Sequence, residues 1–234
     1  MQILKPYEPS RQKLGRFEQQ AQRLGIEHEL VFLECADRKQ WRLKSTDPWM
    51  NLENAALQRY LADGWNGAAA EGGLMLTLIK AASFETLPMR NANTFVEALY
   101  AQNVAFDQDR FEIRILLDTI VRAEAKQVER NWKIIAATAG ETPAYYPSVL
   151  FDHVIGLFEQ IGAARLAEIA KLFAKAPYDL RAGWPDLTLW KNGEIRFVEV
   201  KSPGDSMRAK QVRLISTILL PLGFRVGLAE VRPA

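Results

Sequence analysis

Two carboxylates and an amine stand at a spacing that could do phosphodiester chemistry. Asp186 and Glu199 lie on either side of Asn192-Gly193, and Lys201 follows two residues after Glu199. The flanking runs, Asp186-Leu-Thr-Leu-Trp190 and Ile195-Arg-Phe-Val-Glu-Val-Lys201, are rich in β-branched and aromatic residues. Asn-Gly between such runs predicts a hairpin closed by a type I′ turn, because both residues accept positive φ. A two-residue loop sets Asp186 directly across from Glu199, and strand alternation points Lys201 the same way. Like charges set opposite one another are destabilising, so the pair calls for a compensating cation. A hard divalent ion with oxygen ligands, Mg²⁺ or Mn²⁺, suits it better than a softer metal. Such an ion stabilises the attacking and leaving oxygens of an in-line displacement, while a lysine orients water and offsets charge.

The competing reading is a free hairpin edge, with both acids solvated and Lys201 in a surface ion pair. The strand faces argue against it. Trp190, Ile195 and Phe197 share the acidic face, and Leu187, Leu189 and Val198 fill the other. Strands apolar on both faces belong inside a sheet, which puts the acids at the mouth of a buried site.

The elements that must position these residues follow from periodicity and punctuation. A helix is expected from Arg11 to Leu24, ending at Gly25, then a small strand pair at 29–34 and 40–44 around Asp37-Arg-Lys. A second helix runs from Met50 to Ala62, with Leu52, Ala56, Leu57 and Tyr60 on one stripe, closed by Asp63-Gly64. Glu71 falls at or just before the first turn of a helix from Leu74 to Ala82, where a carboxylate suits the helix dipole. Residues 109–137 read as one long or two consecutive helices that bury Phe111, Ile115, Leu116, Ile120 and Val121. Pro143 and Pro147 precede helices at 148–161 and 163–175. After the hairpin come a loop, Ser202-Pro-Gly-Asp205, a helix from Arg208 to Leu220 and a last strand from Phe224 to Val231.

Composition narrows the class. The chain has 234 residues, 48% hydrophobic and 25% charged, with a net charge of +2, as an ordinary soluble globular protein does. A mildly basic pI of about 8.6 permits nucleic-acid binding without demanding it. Cys35 is the only cysteine, so no intrachain disulfide forms and a reducing cytoplasm is the expected compartment, nucleoid-associated if prokaryotic. No run of eighteen apolar residues and no signal-peptide pattern is present. His28 and His153 are far apart and lack metal-ligand spacing. A soft boundary near residue 48 divides an N-terminal helix and strand pair, 1–48, from a larger domain, 49–234.

The run Gly-Trp-Pro-Asp-Leu-Thr-Leu-Trp, then Phe-Val-Glu-Val-Lys-Ser-Pro-Gly-Asp and Arg-Ala-Lys-Gln, resembles the VRR-NUC family of PD-(D/E)xK nucleases. Within that family the chain is similar to the Fanconi-anaemia-associated branch, which acts on branched DNA. The likeness extends to Tyr60-Leu-Ala-Asp-Gly, Ala70-Glu71-Gly-Gly and Met89-Arg-Asn-Ala-Asn93. The resemblance implies Glu71, Asp186 and Glu199 as metal ligands, with the Val200 carbonyl completing the shell, and Lys201 as the water-orienting lysine. It also implies that Lys210 approaches a phosphate, and Gln211 matches the family pattern. Arg208, Lys210 and Arg213 form either a phosphate-binding stripe or an ordinary solvated face, and Gln211 either bonds near the site or sits on the helix surface. The family's upstream DNA-binding region and helical repeats find no room in this length.

These observations imply an α/β protein: a restriction-endonuclease-like mixed β-sheet core with an extensive helical N-terminal portion. The expected activity is Mg²⁺- or Mn²⁺-dependent cleavage of flapped or branched DNA in repair. A homodimeric four-way-junction resolvase, a DNA-binding module without catalysis, and the catalytic half of a longer polypeptide stay open beside it.

Overall fold

In the computed structural model, residues 14–36, 40–86, 113–137 and 148–234 are described. Strands β1 (Glu27–Ala36), β2 (Gln40–Arg42), β3 (Asn66–Ala69), β4 (Leu187–Lys191), β5 (Glu194–Lys201) and β6 (Arg225–Pro233) form a mixed sheet ordered β2-β1-β6-β5-β4-β3. β4 and β5 are the expected hairpin. Leu187 pairs with Val198 and Trp190 with Ile195, the register that a two-residue loop imposes. Asn192 and Gly193 take φ of 51° and 83°, as a type I′ turn requires. β5 runs parallel to β6, and β6 parallel to β1, so the hairpin is held from one side by non-local pairing.

The helices are α1 (Arg16–Leu24), α2 (Leu52–Ala62), α3 (Gly73–Ser83), α4 (Ile113–Val121), α5 (Ala125–Ala137), α6 (Phe151–Phe173), α7 (Pro177–Leu180) and α8 (Ala209–Leu214), the last continued by a π-helical turn, Ile215–Leu219. Helices α3 to α6 share one core with Trp190, Ile195 and Phe197. On the opposite face α2 buries Ala55, Ala56, Leu57 and Tyr60 against Leu187, Leu189, Val198 and Val200. Both faces of the hairpin are therefore covered, as its two apolar stripes predict. The local stops are also physical. α1 ends where Gly25 turns left-handed at φ 69°, and the side chain of Asn51 caps α2 by accepting the Asn54 N–H at 3.0 Å. α6 breaks at Gly162, between the two helices expected at 148–161 and 163–175.

Several expectations need correction. Ile115 and Val121 are 48% and 52% exposed, while Leu116 and Ile120 are fully buried. α4 carries an apolar stripe wider than the contact it makes, and periodicity alone cannot say which part of the stripe is covered. β3 was not expected, because Asn-Gly-Ala-Ala has no β-branched or aromatic residue; it pairs antiparallel with β4. The strand pair before residue 48 is part of the main sheet, since β1 is hydrogen-bonded along β6. Residues 11–13 of the first expected helix, the Asp37-Arg-Lys turn, Met89–Asn93 with Arg90, Phe111, Pro143 and Pro147 lie outside the described residues. Among the described residues, no helix is long and apolar enough to cross a membrane.

Candidate active site

Asp186 is the residue before β4, and its Oδ2 accepts the Val200 N–H of β5 at 2.8 Å. That bond fixes the aspartate against the neighbouring strand, where its charge acts on Glu199. Glu199 is fully buried, on the face it shares with Phe197. Burial is the main force on both acids. It raises Asp186 to about 6, against the opposing Val200 hydrogen bond and the Lys201 charge. It raises Glu199 to about 8, with the charge of Asp186 adding to the effect and Lys201 opposing it. Lys201 is buried too, and its Nζ pairs with Glu199 Oε1. One ammonium for a fully buried and a half-buried acid leaves the cluster short of positive charge.

Helix α8 closes the site from the other side. Gln211 donates from Nε2 to Glu199 Oε1 and accepts the Arg208 N–H on Oε1 at 2.7 Å. Of the two places that sequence left open for Gln211, it takes the one near the site, with both ends of its amide engaged there. Two glycines permit the close packing. Gly183 sits at φ 96°, and a Cβ there would strike the Lys210 carbonyl of α8. At Gly72 a Cβ would come within 2.6 Å of Trp184 Cδ1, so the start of α3 can lie directly on that ring. Trp184 is core, bonding the Leu180 carbonyl through Nε1 at 2.9 Å. Glu71, just before α3, holds a positive φ of 45° without being glycine, and its N–H donates to the Asp186 carbonyl at 3.2 Å. A non-glycine residue there is strained, and strain of this kind collects at functional sites.

A cleft of about 490 Å³ opens over these groups, lined by Glu53, Glu71, Asp186, Lys201, Arg208 and Lys210 among others. A second cavity of about 420 Å³ shares Glu53, Glu71 and Asp186 and extends past Arg181. Arg208 and Lys210 are exposed and line the same cleft as Lys201. Arg213 does not line either cavity and pairs with Asp179 at 3.0 Å. Glu53 is the residue that sequence reading missed. It adds to the negative potential on Asp186, yet it sits in the first turn of α2, far away in sequence, with no spacing signal to find it by.

A divalent cation fits Asp186 and Glu199 by their own chemistry. Glu199 Oε2 is buried with no hydrogen-bond partner while Oε1 receives two donors. A buried carboxylate oxygen left open is costly unless a cation takes it. The Val200 residue, anchored by its N–H to Asp186, lies on the wall of the same cleft. Among the described residues, no three His, Cys, Asp or Glu side chains are grouped closely enough to hold a metal as they stand. Glu71 is exposed and lines the same cleft, and its charge joins that of Glu53 in raising Asp186.

The comparisons with known proteins agree with this architecture. Residues 124–233, which include the hairpin, α8 and β6, match the VRR-NUC domain, so the likeness first seen in the motif residues extends over the C-terminal half of the sheet. More particularly, the chain is similar to the Fanconi-associated nuclease 1 homologs of Oryza sativa subsp. japonica, 25% identical over 199 residues, and of Schizosaccharomyces pombe, 24% over 210 residues. Those matches take in 78% and 80% of this chain but only 20% and 28% of the relatives. Among solved structures, paFAN1 bound to DNA with a 2-nucleotide 5′ flap and a gap superposes with a TM-score of 0.64 at 18% identity, covering 89% of this chain and 38% of that one. The mixed α/β fold is thus that of a known nuclease structure.

Proposed function

We propose that this protein is a metal-dependent DNA nuclease of the PD-(D/E)xK type that selects flapped or branched DNA. One observation carries the reading: half-buried Asp186 and fully buried Glu199 stand with one lysine, Lys201, and Glu199 Oε2 is left without a hydrogen-bond partner. Asp186 and Glu199 would hold Mg²⁺ or Mn²⁺, with the Val200 carbonyl and Glu71 as further oxygen donors on the same cleft. A bound divalent ion supplies Lewis-acid stabilisation of the oxygens that attack and leave phosphorus. Lys201 is held at the cleft wall by Glu199, so its ammonium is oriented before substrate arrives. From there it can hold an attacking water and offset charge on the phosphate as that charge develops. Arg208 and Lys210 in the cleft receive backbone phosphates, which positions the scissile bond without reading sequence. The flap preference is carried over from relatives whose full length far exceeds this chain, and it is tested as such.

The test is a panel of 5′ flap, 3′ flap, four-way-junction, duplex and single-stranded DNA with Mg²⁺ or Mn²⁺. Cleavage should be fastest on 5′ flaps, absent in EDTA, and reduced on the order of 10³-fold by Asp186→Ala, a loss of several kcal/mol of transition-state stabilisation. Full activity of Asp186→Ala would place the chemistry elsewhere. Equal rates on all five substrates would remove the flap preference and leave the nuclease.

A further inference from the structure

We propose that Gln211 is a positioning residue that sets the Glu199 carboxylate for a divalent cation and ties it to the helix that meets the phosphates. The inference rests on the nuclease reading above and deepens it. Gln211 is 9% exposed, and its Oε1 accepts the Arg208 N–H. A main-chain N–H can only donate, so the amide can lie only one way round, with its NH₂ group toward Glu199. Lys201 Nζ reaches the same oxygen, Oε1. A carboxylate offers acceptor sites on both oxygens, yet here both donors meet one of them, and Oε2 is left bare in a fully buried side chain.

This arrangement differs from simple neutralisation. A second cation at position 211 would cancel the charge that a metal ion needs. A neutral amide fixes the orientation of the carboxylate and leaves its charge in place. Gln211 also caps α8 through Arg208, so the helix led by Arg208 and carrying Lys210 is joined to Glu199 by two hydrogen bonds through one side chain. The ion-holding and phosphate-holding sides of the cleft are thereby kept in register.

The experiment uses the full chain. Mn²⁺ alone is titrated against wild type and Gln211→Met by electron paramagnetic resonance of the free ion, beside melting temperature and kcat and KM on 5′ flap DNA. Residues that orient metal ligands change affinity by roughly ten-fold to a hundred-fold when removed. The expected result is an Mn²⁺ affinity at least about ten-fold weaker, a lower kcat and an unchanged KM for DNA. A raised KM with Mn²⁺ affinity and kcat unchanged would make Gln211 a DNA contact and overturn the proposal. A change in melting temperature alone would make it only a helix cap, with the same consequence.

A second pair keeps the test decisive if Gln211→Met folds poorly. Arg208→Ala retains the main-chain N–H that holds the amide, and Arg208→Pro removes it. Position 208 has φ −84° and ψ 151°, close to what proline accepts. Arg208→Pro should bind Mn²⁺ several-fold more weakly than Arg208→Ala; equal affinities would overturn the proposal. Wild type that neither binds Mn²⁺ nor cuts DNA would instead sink the nuclease reading, and this inference with it.

Discussion

Asp186 and Glu199 repel each other in a buried setting, and that repulsion has a measurable consequence for stability. Both acids ionise at higher pH than usual, chiefly through burial, with Asp186 at about 6 and Glu199 at about 8. A carboxyl raised in the folded state is penalised when charged. Stability of the metal-free protein should therefore fall as pH climbs from the ordinary carboxylate range through these values, because the native state binds more protons than the unfolded state there. Asp186→Asn removes one of the two charges. In EDTA at pH 8 it should be more stable than wild type by about 1–3 kcal/mol, at roughly 1.4 kcal/mol per pKa unit. The gain should shrink toward pH 4 and be lost in Mn²⁺. Urea unfolding at several pH values reads this, and a variant less stable than wild type in EDTA would contradict the charge argument. At this scale the sequence was informative about the acids and the lysine, because a two-residue loop fixes a register and a register fixes faces. It was silent on Glu53, which tertiary packing rather than spacing brings in, and it named Gln211 through the family resemblance without its partners.

At the scale of elements, the site depends on how tightly α8 and the Gly183-Trp184-Pro185 segment approach. Gly183→Ala meets both a positive φ and the main chain of α8, while Gly193→Ala meets a positive φ of 83° and open space. The hairpin variant should cost only about 1 kcal/mol and leave cleavage intact. Gly183→Ala should cost more, about 2–4 kcal/mol, and slow cleavage because α8 carries Gln211 and Lys210 with it. Thermal unfolding beside a cleavage assay distinguishes the two; equal effects would mean that α8 is not held where it is drawn. The hairpin was legible because Asn192-Gly193 and two apolar stripes agree. β3 was not, since small residues pair with β4 only because α2 and β4 bring them there. The exposed sides of α4 at Ile115 and Val121 show the same limit, where an apolar stripe tells which residues can be buried and not which are.

For the whole molecule, net charge is only +2, so binding to DNA must come from where the positive charge lies. Arg208 and Lys210 line the cleft, whereas Arg213 is paired with Asp179 outside it. Each phosphate contact contributes about 0.9 to the slope of log affinity against log salt on duplex DNA. Arg208→Ala with Lys210→Ala should lower that slope by about 2, and Arg213→Ala should leave it nearly unchanged. Fluorescence anisotropy in Ca²⁺ over a salt series checks this, and a large change with Arg213→Ala would move the DNA path. Parallel pairing of β1 with β6, across most of the chain, was beyond sequence pattern because neither strand names its partner. The mixed α/β class itself was legible from the switch between helical and two-residue periodicity.

The central claim is that Asp186 and Glu199 together hold a divalent cation. Crystals grown with Mn²⁺ and measured at the manganese absorption edge test it directly. An anomalous peak within coordination distance of an Asp186 carboxylate oxygen and of Glu199 Oε2 is the predicted result. A map with no peak there at saturating Mn²⁺, or one with manganese bound only elsewhere, would contradict it.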